Sequence, residues 1–206
     1  MGKEAVCTAH FGKRRSTGKA LLETSELLFR PADGSPRVKI PFSAIKSAKA
    51  VDGELRLQTN SGPVSFELGP AAERWCQKIL HPKTRVEKLG VKSGIHVSVL
   101  GDFDSDFLRE LRAATTNIDE GKLNPGAELV FLPVHSGKDL LSAVNKVAKS
   151  IGGATSLWIV YPKGKKEITE NDVLTAGRKT GLKDVKVVGF SSTHTALKFV
   201  VPVSRR

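Results

Sequence analysis

The stretch Val86-Glu87-Lys88-Leu89-Gly90-Val91-Lys92-Ser93-Gly94-Ile95-His96-Val97-Ser98-Val99-Leu100-Gly101, followed by Asp102-Phe103-Asp104-Ser105-Asp106, decides how this chain reads. It has the layout of a strand and turn. Val97 to Leu100 is a short, mostly apolar run between turn formers, as a strand of a buried sheet requires. Gly101 follows at once, where an α/β sheet opens its ligand crevice. Several glycines at that point would let backbone lie against a ligand. Here Gly101 stands alone, with Asp102, Phe103 and Asp104 behind it. The stretch therefore points to a fold more firmly than to an activity.

Working outward toward the C-terminus, strands and helices alternate. Strands are expected at Glu128–Pro133, Leu157–Tyr161, Val185–Phe190 and Ala196–Val201, and helices at Asp106–Ala114, Lys138–Ile151 and Glu170–Thr180. Such alternation argues a mainly parallel sheet with covering helices. Leu129-Val130-Phe131-Leu132 and Leu157-Trp158-Ile159-Val160 are continuous apolar runs, suited to strands buried on both faces. Gly152-Gly153 is expected to end one helix, and Thr169 with Asp172 to cap the start of another. The last two strands, joined by Ser191–Thr195, should pair antiparallel.

This closing pattern resembles the C-terminal half of a class I S-adenosylmethionine-dependent methyltransferase. Leu89–Gly94, Leu157–Lys163 and Gly181–Val187 together also look like a bacterial family of uncharacterised function. The resemblance implies a Rossmann-like, three-layer α/β domain over residues 83–206, and assigns no reaction. A methyltransferase would place cofactor-binding residues at Gly101 and Asp102, with an acid ending the second strand. Little room separates Gly101 from the strand at Glu128, though Asp119 or Glu120 could supply that acid.

Residues 1–82 read differently. Short strands are expected at Val6–Phe11, Ala20–Glu23, Glu26–Arg30, Val38–Ile40, Ile45–Val51, Glu54–Thr59 and Val64–Leu68. Asp52-Gly53 is a hairpin signal, and Gly12 to Gly18 reads as a loop. Pro70 opens a helix through Leu80 that carries Trp75, Cys76 and Ile79 on one face. Gly18–Phe29, followed by Ile40–Ile45, is similar to bacterial members of the pleckstrin-homology-like group. That resemblance implies an antiparallel β-barrel closed by a C-terminal helix. The whole chain is thus expected to be a two-domain α+β / α/β protein, with His81-Pro82-Lys83-Thr84 as the junction.

Charge bears on partners. Lys and Arg outnumber Asp and Glu by 33 to 21, a formal net charge of +12. The surplus is spread over both halves, so there is no basic tail. A diffuse positive field attracts polyanions nonspecifically. Nucleic acid is a weaker reading, because one Tyr and two Trp leave little for base stacking. Cys7 and Cys76 form no disulfide framework or zinc set. With no apolar leader and no apolar run long enough to span a membrane, the chain is expected to be cytoplasmic.

Three groups of side chains invite chemistry. Lys13, Arg14, Arg15 and Lys19 ring the first expected loop, where the pleckstrin-homology resemblance implies phosphate binding. Gly12–Lys19 is not a P-loop, because its spacing is wrong and a strand follows it. Lys163, Lys165 and Lys166 form a second candidate anion site. Asp102, Asp104 and Asp106 offer hard oxygen donors for a divalent cation, or Asp106 caps the helix behind it. The five histidines show no ligand spacing. The expected function is a noncatalytic binding protein without a cofactor, engaging a partner protein or an anionic ligand. The alternative is a methyltransferase using S-adenosylmethionine through a degenerate loop.

Overall fold

The computed structural model describes residues 3–205. The chain forms two compact units, Met1–Lys83 and Thr84–Arg206. Among the described residues no helix is long and apolar enough to cross a membrane.

The first unit is a curled, seven-stranded antiparallel sheet. Its strands are β1 (Lys3–Phe11), β2 (Arg14–Leu22), β3 (Glu26–Pro31), β4 (Val38–Pro41), β5 (Ile45–Val51), β6 (Glu54–Thr59) and β7 (Gly62–Glu67). Their order is β4-β3-β2-β1-β7-β6-β5, so β1 joins the two meanders. Alternation sets the faces. Leu55 and Leu57 turn inward from β6 while Arg56 and Gln58 face out. Phe11, Phe29 and Phe66 meet inside with ring centroids 5.7 to 6.1 Å apart. Helix α1 (Ala71–Leu80) covers this core with Ala72, Trp75, Cys76 and Ile79.

One expectation is corrected here. Gly12 to Gly18 is not a loop: Gly12 and Lys13 alone make the turn, and β2 begins at Arg14. The inward residues of this stretch are Ser16 and Gly18, too small and polar to register as an apolar alternation. Gly18 is required there, because a β-carbon would run into the carbonyl oxygen of Arg30.

The second unit has six strands, β8 (Val97–Val99), β9 (Ile118–Glu120), β10 (Leu129–Pro133), β11 (Ser156–Pro162), β12 (Lys183–Gly189) and β13 (His194–Val200). The order is β12-β13-β11-β10-β8-β9. Strands β9, β8, β10 and β11 run parallel. β13 is inserted antiparallel between β11 and β12, so the expected closing hairpin forms. Helices α2 (Arg85–Leu89) and α3 (Ser105–Ala114) pack with Phe131, Trp158 and Phe190 in one core. Helices α4 (Leu140–Ser150) and α5 (Glu170–Lys179) pack with Val130, Leu157, Ile159 and Phe199 in another. Burial on both faces explains the continuous apolar runs of β10 and β11.

Three details differ from the sequence reading. Residues 85–89 are helical, started by a reciprocal cap between Thr84 and Glu87 and stopped by Gly90 at φ +87°. The short strand β9 does fit between α3 and β10. Helix α4 ends at Ser150 with an extended Ile151 behind it, so Gly152-Gly153 lies beyond the cap. The capping box of α5, Thr169 with Asp172, is present as expected.

Candidate functional site

From β8 the chain goes out to β9 on one side and returns to β10 on the other. Ligand crevices of open α/β sheets form at such a reversal, beyond the carboxyl ends of the strands. A cleft of about 480 Å³ opens at this edge, lined by Asp102 and Phe103 after β8, Pro133 at the end of β10 and His135 after it, and the β12–β13 connection from Phe190 to His194. Its size is that of a small-molecule site.

Arg85 organises one wall. Its guanidinium bonds Asp104 at 3.2 to 3.4 Å and Glu110 at 3.0 and 3.1 Å. It also lies 5.3 Å from the Phe107 ring centroid and 5.0 Å from that of Phe190. Burial works against its charge, but the bonds from Glu110 and Asp104 outweigh that and raise its pKa. Phe103 packs on Phe107, Phe131 and Phe190. The far wall is polar: Ser191 Oγ accepts from the Thr193 and His194 backbone, and the Thr193 hydroxyl meets His194 Nδ1 at 2.9 Å.

The structure gives the three aspartates separate roles. Asp104 is the N-cap of α3, accepting from Phe107 N at 2.7 Å, and is clamped by Arg85. Asp106 is therefore not the cap; it lies in the first turn and pairs with Arg109 at 2.8 Å. Asp102 is exposed in the cleft wall. No cluster of three or more metal-ligating side chains occurs among the described residues.

The environment of Gly101 bears on S-adenosylmethionine. Gly101 has φ +75°, and a β-carbon there would come within 2.9 Å of Pro133 Cγ. Gly101 itself is exposed just beyond β8. Glu120 does end β9, as the alternative asks, but its carboxylate takes Arg112 at 2.6 and 3.1 Å. Asp119 is held by His96 at 2.7 Å and Asn124 at 2.8 Å. The hydrogen bonds from Asn124 and His96 keep its carboxyl below the usual range. Gly101 and Asp102 are exposed at the crevice rim, and the acids on β9 already hold partners.

The anion candidates are scattered. Arg14 and Arg15 are neighbours on β2 and so face opposite sides of the sheet. Arg14 bonds Ser35 at 2.8 Å, and Lys19 pairs with Glu4 at 2.8 Å at the far end of the strand. Lys13 is exposed in the turn. Lys163 donates to the Ser191 carbonyl at 2.6 Å and so braces the β12–β13 turn. Lys165 and Lys166 are exposed beyond β11, and none of the three lines the cleft. Sequence reasoning missed Arg85, whose signal was the Thr84–Glu87 cap placing it on a helix. It also missed His135 and His194 in one cleft, which no spacing announces.

No protein-family model matches the chain, and no curated protein matches it by sequence. Among solved structures it is similar to a SAM-dependent methyltransferase from Aquifex aeolicus, at 12% identity over 57% of this chain and 87% of that one, TM-score 0.46. It is also similar to a TehB-like SAM-dependent methyltransferase from Corynebacterium glutamicum, at 11% identity over 64% and 96%, TM-score 0.38. A protein of the NADB-Rossmann superfamily from Streptococcus agalactiae matches at 11% identity over 58% and 68%, TM-score 0.40. Likeness at this level carries no argument about activity. The α/β build of the second unit rests on its own strand order.

Proposed function

We propose that the chain is a binding protein whose second unit holds a small ligand in the cleft at the carboxyl edge of β8, β10 and β11. The position of that cleft, at the reversal of strand order, carries the reading. With Asp104 and Glu110 paired to Arg85 and Asp106 to Arg109, the polar wall of Asp102, Ser191, Thr193 and His194 suits a small ligand with hydrogen-bonding groups. The single glycine after β8, with the start of α3 clamped by Arg85, supports binding without methyl transfer. The first unit is read as pleckstrin-homology-like on its strand order and closing helix.

The inserted β13 and the acids on β9 favour a second reading, a methyltransferase-like domain that still binds S-adenosylmethionine. Both readings meet in one measurement. Amide NMR of the full chain is recorded against a set of small amines and alcohols and against S-adenosylmethionine. Shifts confined to residues 102–106, 133–135 and 190–194 with non-cofactor molecules support the first reading. Micromolar binding of S-adenosylmethionine, abolished by Gly101→Trp, replaces it with the second.

A further inference from the structure

The first unit carries a feature independent of that cleft. Strand register aligns Lys49 of β5 with Arg56 of β6, and Arg56 with Ser65 of β7. Ser65 aligns in turn with His10 of β1, and His10 with Arg15 of β2. These five residues form one continuous row across five adjacent strands, following the curl of the sheet. All lie on the outer face, since their neighbours Ala48, Leu55, Leu57, Phe66, Ala9 and Ser16 are the buried set. At roughly 4.8 Å per strand the row spans about 19 Å.

A groove of about 410 Å³ runs beside four members of the row, Lys49, Arg56, Ser65 and His10, together with Ser47 and Gln58, and Arg15 lies beyond its end. No carboxylate lines it. The acids lie on the other side: Glu54 takes Arg56 Nε at 2.6 Å, and Glu67 meets His10 at 2.8 Å. Glu54 also takes a hydrogen bond from Ser65, so the acids steady three members of the row, and neither acid lines the groove.

The shape of the row selects its ligand. A single phosphate ester covers only a fraction of the row's length. The unit's aromatic side chains, Phe11, Phe29, Phe42, Phe66 and Trp75, all belong to or pack against its core, so none is offered for base stacking. Arg and Lys donors in line suit closely spaced phosphate oxygens. We propose that this outer face binds a linear phosphate chain without bases, laid across the strands from Lys49 to Arg15.

The test uses the full chain and a long-chain inorganic polyphosphate, followed by calorimetry at low and moderate salt. Binding should occur and weaken with salt. Lys49→Ser with Arg56→Ser should weaken it by about tenfold or more, the scale of losing charge-assisted hydrogen bonds. Lys146→Ser with Lys149→Ser, which removes equal charge from α4, should change it by less than about twofold. Arg15→Ser should weaken binding and Arg14→Ser should not, although the two are adjacent and alike in charge. Circular dichroism checks that each variant is folded. Absence of binding, equal losses from both lysine-containing pairs, or equal effects at Arg14 and Arg15 would overturn the proposal. Tighter, row-dependent binding of single-stranded DNA would also overturn it, by giving the row to a nucleic-acid backbone.

Discussion

A β-carbon on Gly101, just beyond β8, would come within 2.9 Å of Pro133 Cγ at the end of β10. Two separate constraints meet at Gly101: the contact, and a backbone φ of +75° that L side chains rarely adopt. Gly101→Ala should destabilise the second unit by about 1–3 kcal/mol. Adding Pro133→Ala should recover the steric part and leave the backbone part. Chemical denaturation of the two variants reads both terms. An unchanged midpoint for Gly101→Ala would mean that the contact is slack and the crevice can open.

That contact also shows what was legible in the sequence. The apolar runs of β10 and β11, the Asp52-Gly53 hairpin and the Thr169 cap are local signals, and each element formed where it was read. Gly101 was legible as a lone glycine, but its partner Pro133 was not, because only the fold brings them together. The same holds for Arg85, which meets Asp104, Phe107 and Glu110 of α3 and its cap, and Phe190 beyond β12. The row from Lys49 to Arg15 is set by register across five strands and leaves no pattern along the chain. The start of β2 was misread because its inward residues, Ser16 and Gly18, are small where a strand's buried face is expected to be bulky.

Arg85 supplies the second prediction. Its side chain is 15% exposed, whereas Asp104 and Glu110 are 47% and 38% exposed. Water can therefore rescue the carboxylates in part if the guanidinium is lost. Arg85→Met should cost about 1–3 kcal/mol, below the range for a fully buried pair. Arg85→Lys should recover little, since one ammonium cannot span both acids and stack between two rings. Full recovery by Lys would show that charge alone matters at this position.

Asp119 sets a pH dependence. Its carboxyl is held below the ordinary value of about 3.9 by the bonds from Asn124 and His96. A depressed folded pKa stabilises the folded state above the unfolded value. That contribution disappears as pH falls through the folded value. Stability should thus decline on acidification below about pH 4, and Asp119→Asn should flatten that decline while lowering stability at pH 7. Denaturation midpoints for both proteins across pH 2–7 decide it, and parallel curves would remove Asp119 from the account.

The first unit has its own core and α1, and the second has two further cores about its sheet. Fragments 1–83 and 84–206 should therefore each give dispersed amide spectra. A dispersed spectrum from neither fragment would sink the idea of separable domains.

Ser16 yields the last prediction. Its side chain points into the first core opposite Ala9, and its Oγ is buried without a hydrogen-bond partner. An unpaired buried hydroxyl gives up its water for nothing, at a cost on the order of 1–3 kcal/mol. Ser16→Ala removes the hydroxyl, keeps the β-carbon and leaves only a small void. The variant should gain about 1 kcal/mol of stability. Ser16→Val should not share the gain, because added methyl groups crowd a packed interior. Thermal denaturation of the two variants separates the effects. A loss of stability in Ser16→Ala would mean that the hydroxyl is bonded after all, to a buried water or a neighbouring carbonyl.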